Sequence, residues 1–217
     1  MIKTKLISTT QPTIEMQAAT PEELISYCAR VSNPQNQNNF DTAEGLLKYC
    51  IRNKHWSIFT MVDATVEIEA PRDITRQILR HQSADFQEFS YRYSDGVWFT
   101  DREVRMQDPT NRQNSIECTD LNIIKDWVDG IKIITDTVDL FYKDMLSKGV
   151  AKECARVVLP EGLTMSRLYM KANLRTWLHY LDVREGNGTQ LEHIWVANKC
   201  REVLTPAFPT ILSMDLK

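Results

Sequence analysis

The stretch from Arg76 to Tyr93, RQILRHQSADFQEFSYRY, contains a change from helical to extended patterning. Apolar residues after Pro71 recur at helical spacing and predict a helix that ends near this stretch. Residues 90–99 are aromatic and β-favouring, and they predict a strand and a turn. The triplet Arg80-His81-Gln82 therefore falls where one element ends and the next begins. Polar residues in such a place can form a pocket wall or a solvated face, and the residues alone leave both interpretations open.

Outward from this stretch, the chain alternates between helical patterns and one clear strand. Thr20 and Glu23 frame a predicted capping box, and Thr189 with Glu192 frame a second. Alternating apolar residues at 64–69 predict a strand with one wet face. Helical spacing predicts helices at 21–29, 41–53, 126–148, 168–183 and 189–204. Helices mixed with few strands indicate an α+β fold.

The bulk composition limits the possible partners. The chain has 217 residues, a net charge of −3 and 25% charged residues, which disfavours duplex nucleic acid as a partner. A small phosphorylated ligand needs only a few well-placed arginines. We expect no membrane span, because the apolar runs are short, and no secretory signal. Five cysteines without a CxxC pair favour reduced thiols in the cytoplasm.

The sequence lacks the usual motifs for dinucleotides, nucleoside triphosphates and metals. No Gly-rich turn follows a strand, so neither a GxGxxG nor a P-loop is present. No His, Cys and Asp cluster has ligand spacing, so we expect no metal site. A dinucleotide would have to be held in another way.

Several segments together resemble one enzyme family. The triplet Arg80-His81-Gln82 is followed after seven residues by Ser90 and then by Tyr91-Arg92-Tyr93. This pattern is similar to the signature of flavin-dependent thymidylate synthases, in which an arginine usually takes the place of Gln82. Further segments resemble the family in the same order: ARVS (29–32), KHWSIF (54–59), ARVVLP (155–160), NLRTWLHYLDVR (173–184) and TQLEH (189–193).

The resemblance implies a fold, a reaction and an assembly. It implies a single α+β domain over residues 1–217, with a small, mostly antiparallel sheet flanked by helices. It also implies FAD held without a Rossmann motif, at subunit junctions of a homotetramer. Methylenetetrahydrofolate would supply the carbon, NAD(P)H the reducing equivalents, and a deoxypyrimidine monophosphate the acceptor C5. The expected reaction is dUMP to dTMP, without a cysteine nucleophile.

The resemblance also assigns roles to individual residues. The expected FAD contacts are Ser32, His55, Ser57, Arg80, His81, Gln82, Glu88, Asn173 and His179. The expected nucleotide contacts are Gln77, Gln82, Asp85, Glu88, Ser90, Arg92, Arg156 and Arg184. The expected catalytic residues are His55, Arg80, His81, Ser90 and Arg184. Trp177, Tyr180 and His193 are interpreted as structural, and Arg175 as a support for the site.

The departure at Gln82 and the carboxylate at Asp85 leave the base open. Carboxylates accept hydrogen bonds from cytosine N4, and a site built for one base edge rejects the other strongly. The alternative hypothesis is a flavin-dependent deoxycytidylate hydroxymethylase on the same scaffold. A third hypothesis is a catalytically inactive homologue that still binds FAD or nucleotide.

Overall fold

The computed structural model describes residues 2–94, 96–186 and 188–214, and its elements confirm an α+β chain. The strands are β1 (Lys3–Thr9), β2 (Asp63–Pro71), β3 (Asp85–Glu88), β4 (Arg105–Gln107), β5 (Ser115–Glu117) and β6 (Met165–Asn173). The helices are α1 (Pro21–Ala29), α2 (Ala43–Arg52), α3 (Arg72–Ile78), α4 (Leu121–Ser147), α5 (Lys152–Ala155), α6 (Leu174–Arg184), α7 (Leu191–Leu204) and α8 (Pro209–Leu212). Short 3₁₀ turns lie at Pro34–Asn36, Phe40–Thr42, Trp56–Thr60 and Arg156–Val158.

The small sheet has four strands in the order β1-β2-β6-β3, and a hairpin of β4 and β5 forms a separate antiparallel pair. Along β2, the alternate residues Ala64, Val66 and Ile68 are buried, as the sequence alternation predicts. β6 has the same period, with Leu168, Met170 and others facing the core. Strands of this pattern bury one face and leave the other polar.

One prediction from the sequence is wrong, around β6, and another, for the strand and turn after β3, holds only in part. The segment 168–183 was expected to be one helix, but it is a strand to Asn173 and then helix α6. The segment 90–99 turns at 91–93, and Phe99 makes an isolated antiparallel bridge to Thr164. Asp95 in that segment lies outside the described residues.

The chain divides into two compact units. In its described part, the first unit comprises residue 2, Glu69–Arg80 and Glu88–Leu168 without residue 95; the second comprises Lys3–Ile68, His81–Gln87 and 169–214 without residue 187. The expected single domain over 1–217 stays a prediction. No helix among the described residues is long and apolar enough to cross a bilayer.

Candidate active site

A cavity of about 670 Å³ opens in the second unit, within the size range of small-molecule sites. Its lining combines cationic, amide, hydroxyl and apolar side chains: Lys54, Trp56, Thr60, Ser83, Asn173, Arg175, Thr176, Leu178, His179 and Asp182. Arg175, His179 and Asp182 lie on one side of helix α6, because residues four and three apart on a helix are neighbours. Among the described residues, this lining contains no cysteine.

Asn173 lines the cavity and also caps the start of helix α6. It is the N-cap residue, with extended backbone, and its side-chain oxygen accepts a hydrogen bond from the Thr176 backbone N–H at 3.0 Å. Capping fixes the side chain and uses its oxygen. The amide nitrogen of Asn173 is therefore the atom that can donate to a ligand.

His55 and Ser57 alternate along the chain with the cavity-lining residues Lys54 and Trp56. Both are exposed. The His55 ring packs edge-on against Tyr49, with 5.7 Å between ring centroids. Ser32, another FAD contact expected from the sequence, is exposed on the segment after α1 and is not part of the cavity lining.

His81 and Arg184 come together in the second unit, although 103 residues separate them. The Arg184 Nε–H donates to His81 Nε2 at 3.0 Å, so that ring nitrogen carries no proton. Burial, followed by the charges of Arg184 and His179, lowers the pKa of His81 to about 4. His81 is therefore neutral at physiological pH.

A buried pair lies behind His81. The His81 ring packs edge-on against Tyr180, with 5.0 Å between centroids. The Tyr180 hydroxyl lies 3.2 Å from His193 Nε2, and both side chains are fully buried. Burial and then the Arg184 charge lower the pKa of His193 to about 3. The structural roles expected for Tyr180 and His193 agree with this packing.

Glu88 is held by a polar network within the first unit. Its carboxylate accepts hydrogen bonds from Thr75 at 3.2 Å and Ser166 at 3.0 Å. It also forms an ion pair with Arg76 at 2.9 Å. A carboxylate held in this way is fixed in position, whatever it contacts in a ligand.

Two of the three arginines expected to bind nucleotide, Arg92 and Arg156, lie in the same unit as Glu88, whereas Arg184 lies in the second unit. The Arg92 guanidinium lies 3.5 Å from Glu153, with both side chains more than half exposed, and the Arg92 backbone N–H donates to Ser90 Oγ at 3.3 Å. Arg156 starts a 3₁₀ turn and is half-buried. Arg80 is exposed, and its backbone N–H donates to the Gln77 carbonyl at 3.4 Å.

Gln82 and Asp85 lie in the second unit, and both are exposed. Asp85 is the first residue of strand β3. Neither belongs to the cavity lining.

Several cavity residues have no assigned role in the sequence interpretation: Lys54, Trp56, Thr60, Ser83, Thr176, Leu178 and Asp182. One available signal was the polar series Arg175, His179 and Asp182 on an otherwise buried helix. Among the described residues, no group of three or more His, Cys, Asp or Glu side chains could hold a metal ion.

Comparison with known proteins gives consistent matches along the chain. Residues 13–210 match the family model described as thymidylate synthase complementing protein. A protein of Paramecium bursaria Chlorella virus 1, named "Probable flavin-dependent thymidylate synthase", is 48% identical over 95% of both chains. The flavin-dependent thymidylate synthase of Synechocystis sp. is 45% identical over 95% of this chain and 96% of its own. A crystal structure of a UMP/dUMP methylase, PolB from Streptomyces cacaoi, bound with 5-Br dUMP, superposes with a TM-score of 0.80. It is 25% identical and covers 98% of this chain and 93% of its own.

Proposed function

The chain belongs to the flavin-dependent thymidylate synthase family, and from this premise we propose that it methylates dUMP at C5 to give dTMP. The observation that carries the proposal is the near-complete coverage by relatives at 45–48% identity that have this named activity. Methylenetetrahydrofolate supplies the carbon, and FAD and a reduced nicotinamide are the redox partners.

The cavity in the second unit has groups that suit a flavin cofactor. Lys54 and Arg175 can face phosphate or an anionic ring, Asn173 can donate an amide hydrogen bond, and Trp56 and Leu178 provide apolar walls. We propose that Asn173, His179, His55 and His81 contact FAD, with Ser32, Ser57, Arg80, Gln82 and Glu88 as the further contacts. When bound, FAD carries reducing equivalents from the nicotinamide to the transferred carbon. The protein's own part is to bind and orient the reactants.

The nucleotide is assigned to a second set of residues. We propose that Gln77, Ser90, Arg92 and Arg156 bind its phosphate and sugar, because charge-assisted donors suit a phosphate monoester. Arg184 would hold the pyrimidine. Its Nε is already bonded to neutral His81, which fixes the guanidinium and leaves the terminal N–H groups for the base.

Helix α4 supports the proposal of a homotetramer. Of the 27 residues of this fully described helix, only Tyr142 is buried. Trp127, Ile134 and Phe141 are 41–49% exposed, and we call these three residues the α4 stripe. A spacing of seven residues places them on one face, as in helices that pack against a partner helix. A second copy of the chain would cover this surface.

The location and the base are finer parts of the proposal. All five cysteines are free, which supports a reducing, cytoplasmic compartment. For the base, Asp85 is the residue that would favour dCMP. If it accepts from cytosine N4, Asp85→Asn should reduce the preference for dCMP over dUMP, because asparagine can also donate to uracil O4.

The reaction can be tested directly on the purified protein. The protein is stripped of flavin and incubated with methylenetetrahydrofolate, NADPH and either dUMP or dCMP, with or without added FAD. Flavin fluorescence follows FAD binding, and the nucleotides are identified by mass. We expect dTMP only when FAD is present. FAD binding without any conversion of dUMP or dCMP would support the inactive homologue.

A further inference from the structure

We infer that Lys54 is an anion-binding residue of the cavity, and that its ammonium group contacts a phosphate or carboxylate of a bound cofactor or substrate. The inference rests on the proposed function, because it takes the cavity to be a cofactor and substrate site. Two independent observations carry it: the backbone conformation of Lys54 and its place in the cavity lining.

The backbone of Lys54 has the left-handed conformation, with φ of 58°. Among the described residues, it is the one non-glycine residue with positive φ. Residues other than glycine are disfavoured in the left-handed conformation, because their Cβ atom approaches the following carbonyl oxygen too closely. The left-handed conformation by itself does not stabilise a lysine.

The conformation belongs to a specific helix end. Helix α2 ends at Arg52, with Asn53 as its C-cap. The Lys54 backbone N–H donates to the Ile51 carbonyl at 3.0 Å, and the His55 N–H donates to the Cys50 carbonyl at 2.8 Å. These two bonds form a Schellman motif, in which the residue at the Lys54 position is usually glycine. Glycine would therefore serve the helix better.

The side chain of Lys54 offers a reason for the exception. Lys54 lines the cavity together with Arg175 and His179. One acidic residue, Asp182, is in the same lining. Lys54 is exposed, and the structure gives its ammonium group no ion pair with any described residue. An unpaired lysine beside an arginine in a cavity of this size is suited to an anionic group.

Four expected ligands have such a group: the pyrophosphate of FAD, the glutamate carboxylates of the folate, the phosphate of dUMP and the phosphates of NADPH. Their shared chemistry is an oxygen anion that accepts from an ammonium group. Separate binding measurements distinguish them: FAD titration by flavin fluorescence, and the KM values for mono- and polyglutamylated folate, for dUMP and for NADPH.

The test compares Lys54→Gly, Lys54→Asn and Lys54→Arg with the unchanged protein. Glycine relieves the backbone, so Lys54→Gly should raise the melting temperature by about 2–4 °C. It should also weaken binding of one of the four ligands by about tenfold. Lys54→Asn, which tolerates the same backbone without the charge, should show the same loss, and Lys54→Arg should restore most of the affinity. Lys48→Ala removes a lysine of α2 that pairs with Glu44, and it should leave the binding of all four ligands unchanged.

The results separate this inference from the proposed function. A more stable Lys54→Gly protein with unchanged binding of all four ligands overturns the role of Lys54 alone. A Lys54→Gly protein with a lower melting temperature overturns the claim that the backbone conformation of Lys54 costs stability. Ligand binding by Lys54→Asn then still tests whether the ammonium group contacts an anion. An unchanged protein that binds no FAD and converts no dUMP overturns the proposed function and this inference with it.

Discussion

At the scale of single residues, the hydrogen bond between His81 and Arg184 links the protonation state of the imidazole to the position of the guanidinium. His81 accepts the Arg184 Nε–H only while its Nε2 is unprotonated. Burial keeps it so, because it lowers the pKa of the ring. The signature triplet could be found in the sequence, but this pairing could not, since it joins residues that the fold alone brings together. The Tyr180–His193 pair was equally invisible, because each residue by itself looks like ordinary core.

The half-buried His81 and the buried His193 predict a loss of stability in acid. The pKa values of His81 and His193 are lowered from 6.5 to about 4 and about 3. Between pH 6.5 and 4, the unfolded chain takes up protons that the folded protein refuses, so the free energy of unfolding falls as the pH falls. Melting temperatures measured across this range should show a smaller decline for His193→Gln than for the unchanged protein.

Tyr180→Phe is the matched variant for this measurement. It removes the hydroxyl partner of His193 and should lower the melting temperature at every pH, while the slope with pH persists. Equal slopes in His193→Gln and the unchanged protein would show that His193 does not contribute to acid sensitivity.

Arg92→Ala should weaken dUMP binding far more than FAD binding. A charge-assisted phosphate contact contributes about 1.5–3 kcal/mol, or about one to two decades in affinity. Isothermal titration with dUMP and flavin fluorescence with FAD measure the two effects. Arg112→Ala, which removes an exposed arginine of the same unit, is the control. Equal dUMP affinity in the two variants would place Arg92 outside the nucleotide site.

At the scale of elements, strong local patterns predicted the structure well. α1 begins with the expected capping box, and α2, α3 and β2 lie where periodicity placed them. α4 begins at Leu121, five residues before its predicted start. The segment 168–183 failed because Leu168, Met170 and Ala172 alternate with exposed residues, a period of two that the helical spacing of the following residues obscured. Most of the cavity lining was beyond prediction, since it collects residues from 54–60, Ser83 and α6.

The two capping boxes expected from the sequence give a matched pair of variants. At Thr20 the box is formed: its hydroxyl accepts from the Glu23 N–H at 3.1 Å. At Thr189 it is not, because the N-cap is Gln190 without a side-chain cap bond. Thr20→Ala should therefore cost about 1 kcal/mol in the free energy of unfolding, and Thr189→Ala clearly less. Urea denaturation measures both, and equal losses would contradict the difference.

At the scale of the whole molecule, the α4 stripe is the feature that a single chain leaves unexplained. Large apolar side chains in a row on an exposed helix indicate a contact surface. The sequence showed the periodicity of α4, but periodicity alone does not tell whether the apolar face is buried within the chain or exposed on it. The proposed assembly would cover the exposed face.

Phe141→Glu should therefore disrupt the proposed tetramer. A carboxylate in an apolar contact loses its hydration without gaining a partner. Light scattering coupled to size exclusion should show smaller species for Phe141→Glu, while Lys132→Glu, a charge change at an exposed residue of the same helix, should remain a tetramer. A monomeric unchanged protein would contradict the proposed assembly.

The central claim is that this flavin-dependent enzyme acts on dUMP. The most direct measurement offers equal dUMP and dCMP to the FAD-loaded protein in one tube, with NADPH and methylenetetrahydrofolate labelled at the transferred carbon. Product masses then identify both the base and the group added. We predict labelled dTMP from dUMP, with dCMP unchanged. Labelled 5-hydroxymethyl-dCMP, with dUMP left intact, would contradict the account and establish the hydroxymethylase instead.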